Sequence, residues 1–379
     1  MNLVIHGKES IEQLKKYVDA FMSEVPDRNQ DAIMDIKGPM FRSDLLQKYL
    51  LIEPRKDLRS LTITWEIPYE FANLDTKPAS LVSHVLGHEG EHSLLAFLKE
   101  KNLVEGLGAG KSIYGARNVI FEISVSLTPS GLENKDFIIK TIFQAIESLR
   151  QRKYPKYLFD ELNYISRISY EYQQRSASMA TSYCENLRRE GLDSFPFRSI
   201  LISEFNPQHA LDLLNFMTPE KCFITVISKD IRPKDDSQKN ILKSRLKKEK
   251  WMGAKYAIMD MEQRFIDSLK NCSAHPEITY PDPNPFIPDD LQIVPAKEKN
   301  VEELPVKIID GKDTDFSDQV YFAFDSEFLV PEVCIQYHIR TPFIRPGNPR
   351  SQALTDLFLK FVNDDLTKIA YDASYAGIG

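Results

Sequence analysis

Residues Lys77–Lys111 read KPASLVSHVLGHEGEHSLLAFLKEKNLVEGLGAGK. Ala79–Leu86 is a short apolar helix that runs into a His/Glu/Gly corner, His88-Glu89-Gly90-Glu91-His92. A second, amphipathic helix follows. The Gly-rich segment Leu107-Gly108-Ala109-Gly110-Lys111 then reads either as a flexible connection or as an edge strand. Small side chains there let another backbone approach, so an extended peptide can add to the edge as one more strand. Glu89 or Glu91 would suit the α-amino group of such a peptide. His84 lies four residues from Ser80 on the apolar helix, where a lone imidazole is more often a core or interface residue than a ligand.

Working outward, Leu61–Ile67 alternates strictly, apolar on the odd positions, and predicts a half-buried strand. Val119–Leu127 repeats the pattern with a stronger apolar face. Thr128–Gly131 turns the chain into a long helix carrying Phe137, Ile138, Ile142, Ala145, Ile146 and Leu149. Pro155 opens a further helix expected to reach roughly Ala180, and Lys221–Ser228 is a strand after a short Leu-rich helix. Upstream, Asn2–Ile5 reads as a short strand and Ile11–Val25 as a helix, opened by a capping box with Ser10 as N-cap and Gln13 three residues on. Six prolines between Pro276 and Pro295 predict an extended linker. Beyond it, Gln319–Phe324 and Val333–Ile339 resemble a hairpin, and Ser351–Tyr371 a long helix. The order of elements implies an α+β fold, with a mostly antiparallel sheet and helices on one face.

At 379 residues the chain is long enough for two or three domains. A formal charge of −7 argues against nucleic acid or an anionic membrane as the main partner. The basic run Lys243–Lys250 sits in a helix-like polar stretch and reads as a solvated face. The 4 cysteines are scattered without a C-x-x-C, so neither a zinc knuckle nor a disulfide framework is indicated. No apolar run approaches a membrane span and no signal-peptide layout opens the chain, which points to a reducing, cytoplasmic setting.

The corner spells H-x-x-E-H through His88, Glu91 and His92, a pattern that can hold zinc and activate a bound water. Gly87 and Gly90 interrupt the turn that must carry the ligands. A third ligand, Glu161 or Glu171, would have to come from the later helix. The alternative is a polar corner ending a helix.

The runs LVIHGKESIEQLKKYV, SHVLGHEG-x-x-SLLAFLKEK, GARNVIFEISVSLTPSGLE, WMGAKY and NPFIPDDLQIVP together resemble the insulinase/pitrilysin family of zinc metallopeptidases along the whole chain. The resemblance implies four homologous α+β domains, the first carrying H-x-x-E-H on a helix. It aligns residues 1–37 with the tail of that catalytic domain and 38–266 with an inactive second domain. A Pro-rich linker follows at 267–300, and 301–379 begin a third domain. The helix corresponding to the metal helix is Ser80–His84, which lacks the first His and the Glu. Glu91 and His92 lie one turn beyond and depart from the family pattern. The catalytic motif and its zinc are therefore expected before Met1, and no catalytic residue or zinc is expected here. What the resemblance places in this chain is a site that anchors the N-terminal end of a peptide by strand addition. It comprises Gly87, Glu89, Leu107, Ala109 and Lys111, with His84 and Ser80 on the supporting helix. Implied partners are peptide substrates, the remainder of the same enzyme and a second copy as a homodimer. The rival readings are an autonomous zinc peptidase using His88, His92 and Glu161, and a non-catalytic peptide-binding scaffold.

Overall fold

Alternation decides the sheet. In the computed structural model, Leu61, Ile63, Trp65 and Ile67 of β2 (Ser60–Ile67) all lie on one buried face. They meet the odd residues of β4 (Asn118–Leu127) in register, Leu61 opposite Val125, Ile63 opposite Ile123 and Trp65 opposite Phe121. The structure describes residues 2–26, 28, 38–115, 117–172, 179–230, 242, 244–293, 306–310, 319–323, 329–339 and 348–378. Seven strands form one sheet in the order β3-β4-β2-β5-β1-β7-β6. The others are β1 (Lys48–Glu53), β3 (Val104–Tyr114), β5 (Cys222–Ile227), β6 (Lys247–Lys248) and β7 (Lys255–Asp260). Every pairing is antiparallel except β1 with β5.

One face of this sheet is covered by helices. α2 (Pro78–Leu86), α3 (Leu94–Glu100), α5 (Lys135–Arg150), α8 (Pro207–Phe216) and α9 (Gln263–Lys270) all contribute to the core. α5 alone buries Ile138, Ile139, Ile142, Phe143, Ala145, Ile146 and Leu149, each such large side chain contributing about 1.5–3 kcal/mol of transfer free energy. Trp65, fully buried, donates from Nε1 to Thr218 O at 3.0 Å and packs edge-on against Phe143. The opposite face is polar: Thr62 Oγ1 meets Ser124 Oγ at 3.1 Å, and Thr64 Oγ1 donates to Glu122 at 3.0 Å.

Several expectations are corrected. Asn2–Ile5 is irregular, since none of the described strands pairs with it and a lone strand has no ladder. The next helix, α1 (Ile11–Phe21), is capped by Ser10 as expected but stops at Met22, with Ile11 81% and Phe21 75% exposed. Thr128–Gly131 is not a plain turn: Thr128 caps a short helix, α4 (Pro129–Glu133). The helix after Pro155, α6 (Lys156–Glu171), ends at Tyr172, and α7 (Met179–Glu190) is separate. Within the basic run Ser244 and Arg245 are helical, while Lys247–Lys248 form the exposed two-residue strand β6 and Lys243 lies outside the described residues. Residues 271–293 carry no helix or strand, yet Ile278 and Tyr280 are buried on the core, so this part of the linker is docked. Pro295 and Phe324 lie outside the described residues. Val333–Ile339 is irregular and exposed; the hairpin instead joins β8 (Val306–Asp310) to β9 (Gln319–Phe322). The last helix is two, α10 (Pro349–Asp365) and α11 (Thr367–Tyr375), broken at Leu366.

Candidate functional site

α2 starts from a backbone position that favours glycine but holds Lys77, at φ 40° and ψ 50°. The Lys77 ammonium holds that position by donating to Arg198 O at 3.0 Å and to Ser199 O. Burial, then the neighbouring Lys111, brings its pKa down to about 8. Arg198 closes the arrangement with a bidentate pair to Asp75, Nε to Oδ1 at 2.7 Å. The start of the helix is thus fixed from outside.

At its other end α2 stops at Gly87, whose N–H donates to Ser83 O at 2.9 Å. A methyl group on Gly87 would lie 3.0 Å from Ser83 O and 3.2 Å from Ala109 N, so the helix end and β3 touch backbone to backbone. His88 is buried in the corner beyond. Its Nδ1 accepts Gly90 N–H at 3.0 Å, which leaves the proton on Nε2, facing Asp372 Oδ1 at 3.4 Å. Burial pushes His88 down to about 4, and burial with the His88 neighbour pushes His84 to about 3. The contact to Asp372 is therefore a neutral imidazole facing a carboxyl group rather than an ion pair. The Tyr375 ring packs at a tilt against His84 at 4.7 Å, and Tyr371 meets His88 edge-on at 4.7 Å, so α11 covers this end of α2.

β3 forms one edge of the sheet, with no described strand on its outer side. Its register with β4 sets Gly106, Gly108 and Gly110 opposite Ser126, Ser124 and Glu122, on the polar face. A Cβ at any of these glycines would meet nothing within 4 Å. Leu107, Ala109 and Lys111 alternate onto the helix-covered face, where Lys111 Nζ lies 3.4 Å from Ser80 Oγ. Burial, then Arg189, lowers the Lys111 pKa.

The structure therefore brings Gly87 to Ala109, Ser80 to Lys111 and His84 to His88. Glu89 is half-buried, close enough to Tyr371 to help raise that phenol to about 12 after burial. Glu91 is exposed, 3.9 Å from Lys368 Nζ. His92 is exposed at φ 60° and shares no helix with His88. Glu161 accepts Asn284 N–H at 3.1 Å, and Glu171 is exposed. No group of three or more His, Cys, Asp or Glu side chains among the described residues is arranged to hold a metal ion. Sequence reasoning missed Lys77, Tyr371, Asp372 and Tyr375. The helix expected from the sequence ends at Tyr371; carried on to Tyr375, the four-residue spacing of the two tyrosines would mark a shared face.

A family model described as the peptidase M16 inactive domain matches residues 1–163, and one described as the middle or third domain of peptidase M16 matches residues 169–379. Human nardilysin is 26% identical over 99% of this chain and 32% of its own length. The A-factor-processing enzyme of Saccharomyces cerevisiae is 27% identical over 100% of this chain and 35% of its own length. Human insulin-degrading enzyme is 28% identical over 100% of this chain and 36% of its own length. The chain thus spans about a third of the length of these relatives. The crystal structure of pitrilysin superposes with a TM-score of 0.71 at 20% identity, over 98% of this chain and 38% of that one, which shows a shared fold. The two M16 models between them take in nearly every residue, and the second alone more than half, so the chain belongs to the peptidase M16 family of insulinase- and pitrilysin-type metallopeptidases.

Proposed function

We propose that this chain is the substrate-anchoring portion of an insulinase-like zinc metalloendopeptidase. It grips the N-terminal end of a peptide by adding it as a strand to β3. The observation that carries the reading is the long, glycine-rich free edge of β3, backed by α2 at Gly87 and Ala109. A peptide laid there finds an edge that pairs with no described strand and no side chain at Gly106, Gly108 or Gly110 to hold it off. Glu89 at the corner would receive its ammonium. Gripping a substrate away from the scissile bond raises its local concentration and orients it for chemistry done elsewhere.

The residues of α2 do not fit a zinc ion. Its one imidazole, His84, is packed between two rings, and Ser80 is bonded to Lys111. No hydrolytic step is assigned to this chain, and zinc belongs to the parent enzyme. Residues 38–266 form the second domain in this reading, supported by a sheet whose strands all fall between Lys48 and Asp260. The rest of the enzyme is its first partner. The four cysteines are free thiols, which supports a reducing, cytoplasmic setting. No helix among the described residues is long and apolar enough to cross a membrane.

The test is direct: a peptide with a free N-terminus binds the chain more tightly than its acetylated twin, and Glu89→Gln removes the difference. Equal affinities would refute anchoring. One zinc held tightly per chain and lost in His92→Ala would favour an autonomous peptidase instead.

A further inference from the structure

We propose that this edge selects peptides carrying an acidic side chain a few residues from the free N-terminus, a specificity that rests on the anchoring reading above. The edge is bipolar. α2 runs antiparallel to β3, because Ser80 near its start lies 3.4 Å from Lys111 while Gly87 at its end abuts Ala109. The corner with Glu89 and Glu91 therefore continues toward the first half of β3, where Glu105 is itself exposed. Cations gather at the other end. Arg188 Nη2 donates to Gly115 O at 3.3 Å, which sets the end of α7 against the end of β3 and brings Arg189 near Lys111.

Lys111 and Arg189 have no carboxylate partner among the described residues. Lys111 has only the Ser80 hydroxyl. The neighbouring acid, Glu190, is turned away: its Oε2 accepts Arg198 N–H at 3.1 Å, and its charge acts on Lys77 and Arg198. A half-buried ammonium beside a guanidinium and without a counter-charge is held at a cost. A carboxylate delivered by the added strand would relieve it through charge-assisted hydrogen bonds.

Strand geometry makes the selection periodic. Side chains of an added strand alternate between faces at about 3.3 Å per residue. Only every second one reaches the face that holds Lys111; its neighbours point over Gly108 and Gly110. Ala109 and Lys111 are about 7 Å apart along the strand, so the selected position falls close to the anchored amine.

The experiment uses the full chain and peptides of about ten otherwise neutral residues, free at the N-terminus and labelled at the C-terminus. Each pair carries Glu or Gln at one of positions two to six, and binding is read by fluorescence anisotropy. The Glu twin should bind about ten-fold tighter at one position, or at two of the same parity. That gap should shrink in Lys111→Gln, in Arg189→Gln, whose side chain is exposed and outside the core, and in about 0.5 M salt. Twins that bind alike at every position, while acetylation still weakens binding, would overturn the acidic selection and leave anchoring standing. No binding by any peptide would overturn both. A Glu preference that survives both substitutions would overturn the assignment to these cations.

Discussion

Gly87→Ala tests whether α2 and β3 are as tightly apposed as the site requires. The backbone there, φ −95° and ψ 6°, is open to any L-residue, so alanine brings no conformational strain. The cost is contact. The new methyl would sit 3.0 Å from Ser83 O, 3.2 Å from Ala109 N and 3.6 Å from Ala109 Cβ. Two backbone atoms must each yield a few tenths of an ångström. Ser83 O is held by the Gly87 N–H bond of 2.9 Å that ends the helix, so the movement falls on the edge strand. Overpacking of this kind costs about 1–2 kcal/mol. It should appear as a lowered urea midpoint and, because Ala109 shifts, as a peptide affinity about five-fold weaker. Gly108→Ala is the control: its methyl meets nothing within 4 Å, and alanine in a strand is no worse than glycine, so stability should hold or rise slightly. If the two variants unfold at the same urea concentration, or Gly87→Ala binds peptide like the parent, the apposition is not what shapes the site.

Gly131→Ala should be far more damaging, because its Cβ would fall 1.8 Å from Leu103 O, an atom that also accepts Thr128 N–H and Oγ1–H. A loss of about 3 kcal/mol or more, or failure to fold, is expected, and a soluble variant with an unchanged midpoint would contradict it. Trp65→Phe should cost about 2 kcal/mol through the lost bond to Thr218 O and the space left beside Phe143, measured by the same unfolding curves. For pH the sign follows from the buried imidazoles. Burial holds His88 at about 4 in the folded chain, down from the ordinary 6.5, so an unfolded chain takes up the proton first as pH falls. Its contribution is full above 6.5 and is lost between 6.5 and about 4, amounting to about 3 kcal/mol. His84 extends the loss to about 3, and Asp372, whose pKa burial raises, offsets part of it. His88→Gln should flatten the fall in urea midpoint across that range; an unchanged slope would refute neutral burial of His88.

How far the sequence carried depends on where each element gets its stability. β2 and β4 were legible because alternation is written into Leu61–Ile67 and Val119–Leu127, and burial on one face follows from it. β1 (KYLLIE) and β7 (KYAIMD) were not. Their side chains are mostly half-buried, and their identity as strands comes from pairing, β1 with β5 and β7, and β7 with β1 and β6, a largely non-local fact. Asn2–Ile5 and Val333–Ile339 show the converse, strand-like composition without a described partner to pair with. The breaks at Tyr172 and Leu366 carry neither glycine nor proline, so no local signal marked them. At the candidate site, the corner and the Gly-rich strand stood in the sequence. The cover over His84 and His88 did not, because Tyr371, Asp372 and Tyr375 arrive from nearly three hundred residues away.

The two edges of the sheet are built in opposite ways, and that contrast supports peptide addition more strongly than glycine content does. An open edge invites unwanted pairing, and proteins blunt it with short strands, charges and bulges. β6 follows the rule: it is two residues long, and both are exposed lysines. β3 runs for eleven residues from Val104 to Tyr114, with one irregularity between Val104 and Gly106. Lysine at an edge usually protects it by projecting into solvent, but the ammonium of Lys111 is folded in against Ser80. From Gly106 to Gly110 nothing but Leu107 and Ala109 stands beside the glycines, and both face the helices. Among the described residues no strand lies on the outer side of this edge. If it receives a peptide, a strand-blocking substitution such as Gly108→Pro should abolish binding while costing less stability than proline in the central strand β2, which has a paired strand on both sides for its N–H groups to donate to. Binding that persists in Gly108→Pro would place the peptide elsewhere.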